Sequence, residues 1–126
     1  MARWIILMMM SFWMAACAAR DEHYYTMHPK ALQEAIKKCP EQASGQLSCK
    51  HLQKIALRTN NLALQLRSDP QGYGKQILSL QETIAEQEMA LQQNKNQPQL
   101  QKELESNKYQ LKERLAVVKW LESPEG

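Results

Sequence analysis

Apolar residues change their spacing several times along the chain. From Trp4 to Trp13 they run almost unbroken, through Ile5, Ile6, Leu7, three consecutive Met and Phe12. Residues 18–27 are mostly polar up to Tyr24-Tyr25-Thr26-Met27 and read as a tether. The spacing then becomes helical: Leu32, Ala35, Ile36 and Cys39 recur at three and four residues and so share one face. His28-Pro29 opens that helix, because the missing N–H of proline costs nothing in a first turn, and Pro40 closes it. Residues 40–47 hold Pro, Ser and Gly and read as a loop. Ser48 is the expected N-cap of a second helix over about 49–67, with Leu52, Ile55, Ala56, Thr59, Leu62, Ala63 and Leu66 as its stripe.

Ser68-Asp69-Pro70-Gln71-Gly72-Tyr73-Gly74 reads as a break, since Asp-Pro and two glycines punctuate a turn. A third helix is expected over about 75–95 through Ile77, Leu80, Ile84, Gln87 and Leu91, spaced 3, 4, 3 and 4 as in a coiled coil. Asn94-Lys95-Asn96-Gln97-Pro98 ends it, and a fourth helix follows over about 98–122 with Leu100, Leu104, Leu111, Leu115 and Val118. The two match in length and are joined by a short polar turn, which predicts an antiparallel hairpin over 75–122. Gln87 and Asn107 interrupt its seam, and polar residues there fix register at a cost in stability. Whether the hairpin closes on itself or self-associates between copies stays open at this point. Glu82, Glu86, Glu88, Lys102, Glu103, Glu105, Lys108, Lys112, Glu113 and Arg114 are mixed in sign and read as a solvated face.

The first apolar run is about 10 to 12 residues, too short to cross a bilayer of roughly 30 Å as a helix. It follows Arg3 and ends in Met14-Ala15-Ala16-Cys17, which resembles the signal peptide and lipobox of bacterial lipoproteins. That resemblance implies removal of residues 1–16, a diacylglycerol thioether on Cys17 and an acyl group such as palmitate on the new N-terminus. Two or more chains anchor stably, since each buried methylene contributes about 0.8 kcal/mol. Met14 stands where the box usually has Leu. The competing readings are an ordinary secretory cut after Ala-x-Ala and an uncleaved anchor. Ala18 and Ala19, in place of Asp, imply the outer membrane, periplasmic side, with surface exposure left open.

Cutting residues 1–16 away changes the composition that matters for folding. Five of seven Met and two of three Trp go with them, and losing Arg3 takes the net charge from +3 to +2. So small a bias gives no ground for nucleic acid. What remains is rich in Gln, Leu, Lys and Glu, with few β-branched residues, which favours helices with narrow apolar stripes and a thin core. The fold class expected is all-α: a disulfide-stapled helical corner over 28–68, followed by the coiled-coil-like hairpin.

The staple is Cys39 with Cys49, the two cysteines left once Cys17 is lipidated, in an exported and therefore oxidising setting. A zinc site using His23, His28 or His51 was the alternative, with Cys49-x-His51 placing two ligand types together. The separation of ten between Cys39 and Cys49 is not the two-to-four-residue knuckle of structural zinc sites, so no metal or cofactor is expected. No nucleophile elbow, Gly-rich phosphate loop or metalloprotease His pair occurs. Glu86 and Glu88 point apart on a helix and make no acid/base pair. No catalytic residue and no enzyme activity are expected.

Residues 24–49 carry the most specific pattern: Tyr24-Tyr25-Thr26-Met27-His28-Pro29, then Leu32, Cys39 and, past a polar loop, Ser48-Cys49. With the box at Cys17, this resembles the EexN family of small lipoproteins, over roughly residues 1–57. The resemblance implies association with entry exclusion in conjugative type IV secretion systems, in an envelope that blocks redundant DNA transfer. Family members usually end soon after the second cysteine, whereas this chain adds the helices from Arg58 to Gly126. A similar module looks like accessory parts of Dot/Icm-type secretion outer-membrane complexes, and a third reading is a general envelope spacer or adaptor. The expected partners are the membrane, through Cys17, and envelope proteins of a secretion system. Tyr24, Tyr25, His28 and Pro29 are the candidate partner contacts; the competing reading puts the two Tyr in the core.

Overall fold

The computed structural model describes residues 21–39 and 47–123. The segment expected to be a signal peptide, the expected lipidation site Cys17, most of the 40–47 loop and residues 124–126 lie outside them. Among the described residues five helices make up the regular structure: α1 (Glu22–Met27), α2 (Pro29–Lys37), α3 (Cys49–Ser68), α4 (Pro70–Gln93) and α5 (Pro98–Glu122). The fold is all-α, and no strand occurs among the described residues.

Local chemistry sets most boundaries. Ser48 caps α3 by accepting from the His51 N–H at 3.2 Å, and Pro70 and Pro98 occupy first turns. Two boundaries differ from the sequence reading. The tether read over residues 17–27 is helical from Glu22 onward, because the Asp21 carboxylate accepts from the Tyr24 N–H at 2.9 Å and caps a short helix. The break read over 68–74 is a single residue, Asp69. Its carboxylate accepts from the Gly72 N–H at 2.9 Å, so Asp-Pro starts α4 at once and the glycines lie inside the helix. A Cβ at position 72 would run into that carboxylate, so a side chain there would displace the capping group. Helix α4 ends at Gln93, two residues earlier than expected.

His28 separates α1 from α2. A residue before proline is pushed out of the helical region, and His28 accordingly takes φ −128° and ψ 73°. The chain turns a corner there. A second corner, between α2 and α3, is closed by the Cys39–Cys49 disulfide, with Cα atoms 6.0 Å apart.

Two core clusters follow. Tyr25, Leu32, Ala35, Leu52, Ile55 and Ala56 pack α1 and α2 on the first half of α3. Leu62, Ala63, Tyr73 and Val117 join the end of α3 to the start of α4 and the end of α5. Tyr73, read as part of a turn, is 2 % exposed and donates its hydroxyl to the Arg114 carbonyl at 2.9 Å. Burial pushes that phenol up to about 12, with the Glu113 carboxylate acting the same way and Arg114 against it.

The α4–α5 hairpin closes on itself. Asn107 donates to Gln87 at 3.1 Å and Lys108 pairs with Glu88 at 3.0 Å, so the polar interruptions of the seam meet each other. Helix α5 buries two faces, not one. At about 100° per residue, Tyr109, Glu113 and Val117 lie across the helix from the seam residues Leu104, Asn107 and Leu111, and that second face meets α1 and α3. Two assignments change as a result. Glu113, read as solvated, has a side chain 3 % exposed. Leu115, read as a seam residue, stays 43 % exposed, while Val117 is fully buried.

Candidate contact site at the His-Pro corner

The sequence placed Tyr24, Tyr25, His28 and Pro29 together, and the structure divides them. Tyr25 is 1 % exposed inside the first core cluster, and Pro29 is also buried. Tyr24 and His28 instead form a wall at the surface. Their rings stack at 4.2 Å with an interplanar angle of 19°, and Tyr24 meets Tyr25 edge-on at 5.5 Å. His28 Nδ1 lies 2.8 Å from the Tyr24 carbonyl. A carbonyl only accepts, so Nδ1 carries the proton and fixes the ring over Tyr24.

That wall borders a cleft of about 440 Å³ between the α1–α2 corner and the last turn of α5. Met27, Ala31 and Trp120 supply apolar surface, and Lys30, Glu34 and Lys119 supply charge. Trp120 falls in the last turn of the fourth predicted helix, over about 98–122. Nothing in its spacing shows that α5 returns to the His-Pro corner; that follows from hairpin closure and the second buried face of α5.

On the other side of α1 lies a polar network. Thr26 donates to the Glu22 carbonyl at 2.8 Å and accepts from the Tyr109 hydroxyl at 2.9 Å. The Tyr109 phenol is raised, mainly by burial. Arg58 donates through Nε and Nη2 to both oxygens of Glu113, at 2.5 and 2.9 Å, and His51 Nε2 lies 3.1 Å from Glu22. The bidentate pair holds the Arg58 guanidinium above its ordinary value, against the opposing effect of burial. Glu22, Thr26, His51, Arg58 and Tyr109 line a smaller cleft of about 200 Å³ together with Lys54 and Ile55, while Glu113 lies behind it. Side chains 29 to 83 positions apart meet here, a pairing without any local signal, although Asp21 before Glu22 was a readable start for α1.

Among the described residues no group of three His, Cys, Asp or Glu side chains is arranged to hold a metal ion. Both sulfur atoms of Cys39 and Cys49 are taken up by the disulfide. No helix among the described residues is long and apolar enough to cross a membrane.

The molecule has two ends. The cleft is at the C-terminal end of α5 and the hairpin turn at its N-terminal end, about 37 Å away at 1.5 Å per residue. Between them α4 presents an outward stripe on which Leu78 and Met89 are 58 % and 62 % exposed, eleven residues or about three turns apart. Helix α3 likewise exposes Leu57 and Leu64. The comparisons return nothing to set beside this arrangement: no known family model, curated protein or solved structure matches the chain.

Proposed function

We propose that this chain is a non-enzymatic outer-membrane lipoprotein, anchored through Cys17, that works by protein contact beside a type IV secretion or conjugation system. Entry exclusion is the role that the EexN resemblance implies. The observation that supports contact as the mode of action is the two-ended layout. A compact, disulfide-closed module follows the proposed anchor, and a self-closed hairpin carries exposed Leu78 and Met89 out from it. Exposed apolar residues on a long helix pair are a suitable surface for a partner helix. That same arm favours a second reading, a structural or accessory subunit of a Dot/Icm-type outer-membrane complex. The spacer reading remains the third.

Two measurements test the proposal together. Recipient cells making the chain should take up a conjugative plasmid less often than cells making Cys17→Ser, which should also lose acyl labelling and leave the membrane fraction. Photo-crosslinkers at Leu78 or Met89 should capture a secretion-system envelope component. Capture without an effect on uptake selects the subunit reading. No effect on DNA transfer and no secretion component captured would leave only the spacer.

A further inference from the structure

The cleft at the His-Pro corner has a composition that the contact arm does not account for. Its walls are aromatic and apolar, with Tyr24, Met27 and Trp120, and its rim carries Lys30 and Lys119 against Glu34. Lys30, Glu34 and Lys37 recur at four and three residues on the exposed outer face of α2, beside exposed Lys38, so this side of the molecule is net positive. Tyr and Trp next to Lys is the combination that settles at the headgroup level of a bilayer, with the rings at the acyl boundary and the polar ends in water. Basic side chains in that position are drawn to anionic lipid.

Chain length gives the occupant. Only Ala18, Ala19 and Arg20 separate Cys17 from Asp21. Acyl chains on Cys17 therefore keep the start of α1 within about 14 Å of the headgroups. Helix α1 is six residues, about 9 Å long, and Tyr24, Met27 and His28 at its end already line the cleft.

We infer that this cleft is a bilayer-docking surface: Trp120 and Tyr24 seat at the headgroup level of a phospholipid membrane, and Lys30 and Lys119 lie against lipid phosphates. The inference rests on acylation of Cys17. Docking there stands α5 up from the membrane and presents the hairpin turn to the periplasm, which gives the anchored molecule one orientation.

Cleavage before Cys17 leaves Trp120 as the one tryptophan, so the test has a built-in probe. The processed, acylated protein is reconstituted in vesicles of phosphatidylethanolamine and phosphatidylglycerol, with or without lipids brominated near the headgroup end of their chains. Trp120 emission should shift to shorter wavelength and lose most of its intensity in the brominated vesicles. Lys30→Gln with Lys119→Gln should restore much of it. In Trp120→Phe with Met89→Trp, where the probe sits at an exposed position on the arm, quenching should be absent.

Equal Trp120 emission with and without bromine, in protein whose mass shows an acylated Cys17, overturns the docking and leaves the lipoprotein reading standing. Equal quenching at positions 120 and 89 overturns it too, because the molecule then lies flat. A photo-crosslinker at Trp120 that captures a protein in cells, with no lipid quenching, assigns the cleft to a protein instead. A mass showing no acyl group on Cys17 removes the anchor and the inference together.

Discussion

Arg58 and Glu113 give the sharpest quantitative test of the packing, because their pair is one-sided. The Glu113 side chain is 3 % exposed and the Arg58 side chain 60 %. Two opposite charges about 4 Å apart attract by about 4 kcal/mol at an effective dielectric of 20, before desolvation is subtracted. Arg58→Met keeps the unbranched stem and removes the guanidinium, leaving a buried carboxylate without its two donors. Breaking a fully buried pair in this way costs about 3–5 kcal/mol. Arg58, though not Glu113, lines the neighbouring cleft of about 200 Å³, so its truncation opens a path for water to the carboxylate, which places the expected cost at about 2–3 kcal/mol, a fall in Tm on the order of 10 °C. The reverse change, Glu113→Gln, leaves the guanidinium in solvent and should cost only about 1 kcal/mol. Arg58→Met with Glu113→Met should recover most of the loss, since an apolar pair of similar volume replaces the ions without stranding either. Urea unfolding followed by helical circular dichroism measures all three. If Arg58→Met proves no more costly than Glu113→Gln, then Glu113 is hydrated and the second buried face of α5 is not as described.

Tyr73, whose phenol is pushed up to about 12, keeps its proton in the folded state above the unfolded value of about 10. Its contribution is therefore complete below pH 10 and is lost as pH rises from 10 to 12; alkaline unfolding should begin in that window and be milder in Tyr73→Phe, which loses about 1 kcal/mol at neutral pH. Cys39→Ser should lower stability by about 3 kcal/mol, the chain-entropy contribution of a loop of roughly eleven residues, without abolishing helix content; a negligible change in the urea midpoint would count against the staple. Replacing Gln87 and Asn107 together by Leu should raise hairpin stability but loosen its register and partner choice. Sedimentation should then detect higher oligomers, and an unaltered monomer would argue that the seam hydrogen bond carries no specificity.

The elements legible in the sequence were those written in a single local code. Ser48 as N-cap, proline at the starts of α2 and α5, and the three-and-four spacing of Leu52 to Leu66 need no distant partner to be read. The disulfide was legible for a different reason: with Cys17 set aside, two cysteines remain in a chain whose N-terminus resembles an export signal. The sequence is ambiguous where one local signal has two structural meanings. Asp69-Pro70 is both a turn signature and an N-cap with proline behind it, and only docking of Tyr73 in the second cluster selects the helix. Six residues make no stable helix alone; Tyr25 and Thr26, buried under α3 and α5, hold α1 in place.

The sequence alone determined the helical class, the hairpin, the staple and the position of the cysteine that resembles a lipidation site, because each depends on neighbours within a few turns of chain. Tertiary structure alone decided that Tyr25 is core and Tyr24 a cleft wall, that Trp120 comes back to the His-Pro corner, and that Glu113 is buried on Arg58. Those outcomes depend on how α5 is rotated between α4 and the α1–α3 module. Periodicity shows that a helix has an apolar stripe. It does not show that a second, partly polar stripe across the same helix is also covered, since a polar residue becomes a core residue only when its partner, 55 positions away for Glu113 and Arg58, arrives to satisfy it.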